Sequence, residues 1–317
     1  MFADDTKIFR EIKTEEDRKH LQDDLDKLQQ WSDTWLLKFH PNKCKVMSIS
    51  NKRLTEVTTT YYLHDQDGKS VELSRSEGEK DLGVMVDDKV NFDKHIQQQV
   101  NKANSIMGLI RRTYTFLDET SFRYLFQALV RPHLEYAEAV WSPFTKKDID
   151  TIEKVQKRAT KLIPSLKNMD YPNRLKKLKM PTLQYRRLRG DMIEVYKIIN
   201  GIYDHKVVTG FFELSDVEQT RGHNKKLRKL SCKINKRKNY FSNRVIDVWN
   251  NLPQEAVSAK SVKDFEIAID KHWENQEMKY NHNANIELKT GRKRSYTTIQ
   301  RDDDKIEADK VVDDQRP

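Results

Sequence analysis

The stretch MFADDTKIF, residues 1–9, places two adjacent carboxylates, Asp4 and Asp5, between short apolar runs. Because Asp is a poor strand former, the pattern predicts a tight turn that strands enter and leave. Two acids at the tip of such a hairpin can bind a hard cation such as Mg²⁺, which prefers oxygen ligands. The ordinary alternative is a solvated acid pair, and this short stretch alone does not decide between the two.

Composition narrows the choice of partner. The chain of 317 residues carries a formal net charge of +10 and has an isoelectric point near 9.3. Such a charge favours a polyanionic partner, with nucleic acid first and an anionic membrane surface second. The length suffices for two or three domains. Because apolar residues make up only 36% of the chain, we expect several small cores instead of one large core.

The cysteines and the hydropathy indicate the compartment. Cys44 and Cys232 are far apart in the sequence, which excludes a disulfide framework or a typical structural zinc site and fits a reducing environment. No apolar run approaches the roughly 18 residues needed to cross a bilayer. The N-terminus lacks a basic segment followed by an apolar core, so no signal peptide is predicted. A nuclear or cytoplasmic protein that does not enter the membrane is expected.

The first 90 residues combine one helix with short strands. Thr14, followed by acids at 15–17, predicts the start of a helix that ends before Pro41. Its leucines recur at helical spacing, so we expect this helix to cover a sheet. Strands are predicted at 45–49, at 57–63 and 71–73 around an Asp67-Gly68 turn, and at 82–86.

After residue 90 the apolar pattern becomes helical. Three amphipathic helices with short connections are predicted, which is typical of a helical bundle. A further helix follows Pro181 and stops at Gly201, and the last begins at Ser261. The three apolar stripes are Ile96-Val100-Ala103-Met107-Ile110, Phe122-Phe126-Leu129 and Ile149-Ile152-Val155-Ala159-Leu162.

Two blocks of the helical half are strongly basic. Residues 151–190 hold twelve Lys or Arg and two acids, and residues 221–240 hold nine Lys or Arg and no acid. Basic grooves with aromatic side chains contact backbone phosphates and stack bases. The alternative is a solvated face with aromatics in the core, and for any single Tyr that alternative is preferred. The interleaved aromatics are Tyr171, Tyr185, Tyr196, Tyr240 and Phe241.

Several segments, in this order, resemble the reverse transcriptases of jockey-like non-LTR retrotransposons. FADD at 2–5 resembles their aromatic-x-Asp-Asp motif, KFHPNKCKVM at 38–47 is similar to the next palm segment, and EKDLGV at 79–84 is similar to their primer-grip turn. Further segments of this chain resemble the helical region that follows the palm in these elements. They are LIRR at 109–112, ALVRPHLEY at 128–136, VWSP at 140–143, VQKRATK at 155–161 and YRRLRGDM at 185–192. The likeness runs from residue 1 to about 275, and the joint order of the motifs makes it specific.

The resemblance implies an RNA-directed DNA polymerase that extends a DNA primer on an RNA template. In that reaction two Mg²⁺ ions stabilise the attacking and leaving oxygens. The resemblance places a direct metal ligand at Asp4, with Asp5 beside the site and Phe2 near the primer end. Lys43 matches a palm lysine that neutralises or protonates the leaving pyrophosphate, although a surface lysine is an equal alternative. Leu82 and Gly83 would shape the turn that seats the primer.

Cations of the motifs and basic blocks are the candidates for contact with the template, the primer or an RNA–DNA hybrid. They are Arg111, Arg112, Lys154, Lys157, Arg158, Lys161, Arg186, Arg187 and Arg189.

The chain departs from the family at its start. A further catalytic Asp, the fingers and the endonuclease of such elements would precede residue 1, and Met1 resembles an internal codon. We therefore expect no primer extension by the chain alone, and Mg²⁺-dependent extension of a DNA primer on RNA would contradict this. Two alternatives stay open: a nucleic-acid-binding module retained by a host, and a remnant without function.

The expected architecture is α+β. Residues 1–90 are predicted to form the late part of the palm, with β-hairpins and a covering helix. Residues 91–165 are expected to form a helical thumb, and residues 166–276 a basic, mostly helical C-terminal region. Residues 277–317 are polar and are predicted to be disordered.

Overall fold

The computed structural model describes residues 6–49, 60–215 and 222–288, and the chain divides into two units, Met1–Phe92 and Asp93–Pro317. Short strands lie in the first unit and helices dominate the second. The predicted α+β class is confirmed. The division lies two residues beyond the boundary expected at residue 90, while the identities palm and thumb stay predictions.

Three two-stranded sheets form in the described part of the first unit. β1 (Lys45–Val46) is shorter than the predicted strand at 45–49, and the predicted residues 57–59 lie outside the described residues. The predicted hairpin around Gly68 is confirmed where β2 meets β3. The remaining strands are β2 (Tyr62–His64), antiparallel to β3 (Ser70–Glu72); β4 (Ser74–Arg75), parallel to β1; and β5 (Gly78–Asp81), antiparallel to β6 (Val84–Asp87).

Helix α1 (Glu15–Thr34) covers β2, as predicted. Thr14 and Asp17 form a reciprocal capping box, in which Thr14 Oγ1 accepts a hydrogen bond from the Asp17 amide at 3.2 Å. Leu21 and Leu25 pack on a small core of Tyr61, Leu63 and Leu73. On the same helix, the Gln22 side chain pairs with the Tyr62 backbone, and Gln29 accepts a hydrogen bond from the His64 amide. The helix therefore supplies hydrogen-bond partners for backbone groups at the edge of β2 as well as covering the strand.

Leu82 and Gly83 form the two-residue turn between β5 and β6. Their φ angles are +43° and +90°, and Asp81 pairs with Val84 across the turn. Positive φ at both central positions is typical of the type I′ turns that match strand twist. The predicted turn at these residues is therefore present, and its first position holds a branched residue in a conformation that usually favours Gly or Asn.

The second unit consists of helices around a shared interior. In α2 (Asp93–Thr113) the predicted stripe from Ile96 to Ile110 is buried, and this helix packs against α4 and α6 as a bundle would. The other helices are α3 (Glu119–Leu125), α4 (Arg131–Glu135), α5 (Glu138–Trp141), α6 (Lys146–Ala159), α7 (Tyr171–Leu178), α8 (Leu183–Ile199), α9 (His205–Val208), α10 (Asn235–Asn239), α11 (Phe241–Arg244), α12 (Ile246–Trp249), α13 (Gln254–Val257) and α14 (Val262–His272).

A π-helical turn at Phe126–Val130 joins α3 to α4. Pro132 lies two residues after this turn, and proline disrupts the regular hydrogen bonding of an α-helix. The wider turn shifts the apolar face by one residue, so Val130 and Leu134 are buried while Leu129 is 45% exposed. The predicted apolar position at Leu129 is therefore wrong, because the sequence pattern assumed a constant helical period.

The core of the later helices extends to the end of the described chain. Trp249, Phe265 and Trp273 are fully buried in it, and Met278, Ile286 and Leu288 pack against the same cluster. Thr182, which caps α8, donates a hydrogen bond from Oγ1 to the Met278 carbonyl at 2.8 Å. The disorder predicted from residue 277 is therefore wrong for 277–288, because Met278 is buried and the partly buried Ile286 and Leu288 pack against the core. Residues 289–317 lie outside the described residues.

Candidate nucleic-acid interface

Helix α6 presents a row of cations on one face. Thr145 caps the helix by accepting a hydrogen bond from the Asp148 amide at 3.1 Å. Lys154, Lys157 and Arg158 of α6 are exposed, and so is Lys161 of the 3₁₀ turn Thr160–Leu162 that continues the helix. The four are spaced i, i+3, i+4 and i+7, which is the spacing of a single helix face. The predicted stripe from Ile149 to Ala159 is buried on the other side. We call these four cations the α6 basic face.

Within the part of the chain that the structure describes, none of these four cations has a carboxylate partner at ion-pair distance. Some cations elsewhere do: Lys177 pairs with Glu119 at 2.9 Å, and Arg228 pairs with Glu213 at 3.3 Å. Lys229 pairs with Asp247. The α6 basic face therefore keeps its positive charge available to an external anion.

The three predicted arginines of α8 are placed differently. Arg186 donates two hydrogen bonds to Glu135, of 2.5 and 2.9 Å. Arg189 makes two hydrogen bonds to Asp270, at 2.6 and 2.8 Å. Both side chains are thus neutralised within the protein. Their contact with nucleic acid stays a prediction, and neither has an unpaired charge to offer a phosphate.

Arg187 is only 4% exposed, and its assignment to a nucleic-acid surface is therefore wrong. Its Nη2 donates to the Leu134 carbonyl at 3.3 Å, and its guanidinium lies 5.8 Å from the centre of the Trp141 ring. Burial lowers the pKa of Arg187 from its ordinary value. The charge of an arginine does not by itself show whether its side chain faces solvent or a buried carboxylate.

Carboxylates on α4, α5, α6 and α8 itself act on this arginine. Asp191 binds Arg244 through two hydrogen bonds of 2.7 and 3.1 Å, and burial raises the pKa of Asp191. Glu138 lies beside Gly190, where any side chain larger than hydrogen would meet its carboxylate. Glu135 lies in the ALVRPHLEY motif at 128–136, and Glu138 lies two residues after it. These two acids were the feature of the sequence that could have indicated partners for the α8 arginines.

Glu138 is a carboxyl of this cluster whose pKa is raised into the neutral range. Burial raises its pKa from 4.5 to about 7; the Arg187 guanidinium opposes that rise, while the charges of Glu135 and Asp191 add to it. Near neutral pH, Glu138 is therefore partly protonated in the folded chain, and its ionisation is linked to stability.

We expect the stability of the second unit to depend on pH through Glu138. Between pH 4.5 and 7 the unfolded carboxyl is ionised while the folded one still holds its proton, so unfolding releases a proton. The stabilisation is complete below pH 4.5 and is lost as the pH rises through 7. Relative to Glu138→Gln, the wild type should lose about 2–3 kcal/mol of unfolding free energy from pH 5 to 8. Urea unfolding at a series of pH values measures this.

The control for that experiment is Glu255→Gln, which removes a carboxyl at an exposed position on α13. Its pH profile should parallel the wild type. Parallel profiles for Glu138→Gln and the wild type would contradict the role of Glu138.

Of the aromatics interleaved with the basic blocks, most are core residues. Tyr171, Tyr185, Tyr196 and Phe241 are buried, in agreement with the alternative given above for single aromatics. Tyr240 is 45% exposed, with the Arg237 guanidinium 5.3 Å from its ring centre. Tyr240 is therefore the one member of that set with a face available for stacking.

The remaining predicted site residues are scattered. Arg111 and Arg112 are exposed in the last turn of α2. In the first unit, Lys43 is exposed on a 3₁₀ turn at Pro41–Lys43, and Leu82 is 51% exposed at its hairpin turn. Phe2, Asp4 and Asp5 lie outside the described residues.

The Mg²⁺ site expected from the resemblance stays a prediction. Among residues 6–49, 60–215 and 222–288, no group of three or more His, Cys, Asp or Glu side chains is placed to hold a metal ion. The proposed ligands Asp4 and Asp5 are not among these residues. Within the same residues, no helix has the length and apolarity required to cross a membrane.

Comparisons with known proteins add one partial likeness. No protein-family model matches the chain, and no solved structure does. An uncharacterized protein of Caenorhabditis elegans is 28% identical over 126 residues, which are 39% of this chain and 64% of the worm protein. The chain thus matches less than two thirds of that relative's length, and the likeness assigns neither a family nor a function.

Proposed function

We propose that this protein binds nucleic acid through the α6 basic face, without strong sequence preference. One observation carries the proposal: four exposed cations share one helix face and, among the described residues, have no carboxylate partner. On α8, another basic segment within residues 151–190, Arg186 and Arg189 are neutralised by acids and Arg187 is buried. Of these two segments, only the α6 basic face can therefore release counterions from a phosphate backbone.

The dimensions of the face suit a strand. With a rise of about 1.5 Å per residue, Lys154 and Lys161 are about 10 Å apart along the helix axis. A nucleic-acid strand advances about 3.4 Å per phosphate in a duplex, so the face spans about three phosphate spacings, which is about four phosphates. Long side chains that reach from a rigid helix follow a backbone without reading base edges, which favours binding that tolerates any sequence.

Salt dependence tests this proposal. If the four cations each neutralise one phosphate of a single strand, log K should fall against log salt with a slope of about −3. Fluorescence anisotropy with labelled single-stranded RNA and DNA of several sequences, between about 50 and 300 mM salt, measures the slope. Failure to bind any strand at the lowest salt would contradict the proposal, and so would binding independent of salt.

A second proposal concerns origin: the chain derives from an RNA-directed DNA polymerase of a jockey-like non-LTR retrotransposon. The ordered motifs support it, and so does the tight turn at Leu82-Gly83, which lies where the resemblance expects the primer to be seated. In such an enzyme Asp4 and Asp5 would hold Mg²⁺, and Lys43 would face the pyrophosphate. Genomic DNA upstream of Met1 tests this: an in-frame palm segment with a further Asp supports a polymerase, whereas stop codons favour a host-retained binding module or a remnant.

A further inference from the structure

A pocket of about 390 Å³ lies beside the α6 basic face, in the range of about 300–1,000 Å³ typical of small-molecule sites. Its lining includes Lys157 and Lys161, Asp170 and Arg174 at the start of α7, and residues 281–283 of the C-terminal segment. The pocket therefore joins two stretches that are more than a hundred residues apart in the sequence.

Arg174 is the residue that gives the pocket its charge. It is 1% exposed, and its Nη2 donates to the Lys157 carbonyl at 3.2 Å. Its Nε and Nη1 have no hydrogen-bond acceptor among the described residues, and no carboxylate there lies within ion-pair distance. Beside the Lys157 carbonyl, the guanidinium contacts the Tyr171 ring, whose centre lies 5.5 Å away. A buried guanidinium with two unpaired nitrogens and no anionic partner is costly, so an anion that reached it from the pocket would relieve that cost.

The other groups of the pocket are largely satisfied by the protein itself. Asp170 accepts a hydrogen bond from Asn173 Nδ2 at 2.6 Å, and His282 lies 3.6 Å from Asp150. Asn281 donates to Glu277 and accepts from the Asn283 amide. Lys157, Lys161 and Arg174 thus outnumber the single lining carboxylate, and none of the three has an anionic partner among the described residues.

We propose that this pocket binds a phosphate monoester, either the terminal phosphate of a strand that lies on the α6 basic face or the phosphate of a free mononucleotide. The inference rests on the proposed nucleic-acid binding only through the shared Lys157 and Lys161. A phosphate monoester carries up to two charges and three terminal oxygens, which accept the charge-assisted hydrogen bonds that one guanidinium and two ammonium groups donate. A phosphodiester within a strand has one charge and fewer such oxygens, so the pocket favours ends over interior positions.

Strands that differ only at their ends test the inference. Single strands of one sequence, with a 5′-phosphate, a 3′-phosphate or hydroxyl ends, are compared by competition anisotropy. A terminal phosphate should improve affinity about fivefold to tenfold. In parallel, AMP and inorganic phosphate, with adenosine as the neutral control, are titrated by calorimetry. A difference between strand ends identifies the strand as the source, and binding of AMP but not adenosine identifies the free nucleotide.

A matched pair of double variants separates this pocket from the α6 basic face. Lys157→Gln with Lys161→Gln removes two charges that line the pocket, while Lys154→Gln with Arg158→Gln removes two charges of the same face outside it. Both pairs should weaken hydroxyl-ended strands similarly. The first pair should also abolish the preference for a phosphate end, which the second should retain. Arg174→Gln should abolish the preference too, and if it fails to fold, the two double variants still decide.

The failures are distinguishable. Strong, salt-dependent binding without any preference for a phosphate end, together with no heat from AMP or phosphate, overturns the pocket and leaves the nucleic-acid proposal intact. Absence of strand binding overturns the nucleic-acid proposal, while the AMP titration still decides the pocket. Equal preference in the two double variants also overturns the pocket.

Discussion

Replacement of Lys154, Lys157, Arg158 and Lys161 together by glutamate should lower the affinity for single strands about 100-fold to 1,000-fold at ~50 mM salt. The four residues are the unpaired cations of one exposed helix face, so their replacement removes the counterion release expected from about four phosphate contacts. The same change should bring the slope of log K against log salt close to zero. Anisotropy titrations with the wild type and the variant measure both quantities.

A control with the same change of charge is available in the same unit. Lys206, Lys260, Lys263 and Lys271 are exposed outside the α6 basic face, and their joint replacement by glutamate alters net charge identically. This control should lose much less affinity and keep most of the slope. Equal losses in the two variants would show that net charge, instead of the α6 basic face, drives binding.

Trp249→Ala should destabilise the second unit by about 3–5 kcal/mol. Trp249 is fully buried, and its ring centre lies 6.0 Å from that of Phe265. Its indole Nε1 donates to the Lys225 carbonyl at 2.8 Å, and its own carbonyl lies 2.9 Å from His223 Nε2. The substitution therefore leaves a large cavity and removes the hydrogen-bond donor of the Lys225 carbonyl. It also loosens the segment at 223–225. Urea or thermal unfolding of the full chain measures the loss.

Phe116→Ala serves as the comparison, since that ring is 95% exposed in the same unit. Its effect should stay within about 0.5 kcal/mol. A loss of less than 1 kcal/mol for Trp249→Ala would show that the core around Trp249 does not carry the stability of the unit.

Local signals in the sequence predicted local structure well. Thr14 with Asp17 marked the start of α1 because both partners of a capping box lie within one turn. The stripe from Ile96 to Ile110 predicted the buried face of α2 because an uninterrupted helix keeps a constant period. Leu129 failed for the converse reason, since the π-helical turn before Pro132 adds a residue to the period.

Properties that depend on distant partners could not be predicted in this way. Arg158 and Arg187 look alike in the sequence, yet one is exposed and the other is enclosed by groups from α4 and α5. The basic block at 151–190 therefore did not separate cations that face solvent from cations that are neutralised or buried. The pocket was missed entirely, because Arg174 and residues 281–283 meet only in the folded chain.

The hydrogen bond from Thr182 to the Met278 carbonyl joins residues 96 positions apart. At a synthesis rate of about 5–20 residues per second, the ribosome adds Met278 about 5–20 s after Thr182. During that interval the start of α8 exists without its final partner, and the apolar surface that Met278 covers stays open. The second unit therefore cannot complete its core until Met278 has been synthesised, and slower elongation lengthens the interval in which that apolar surface is open.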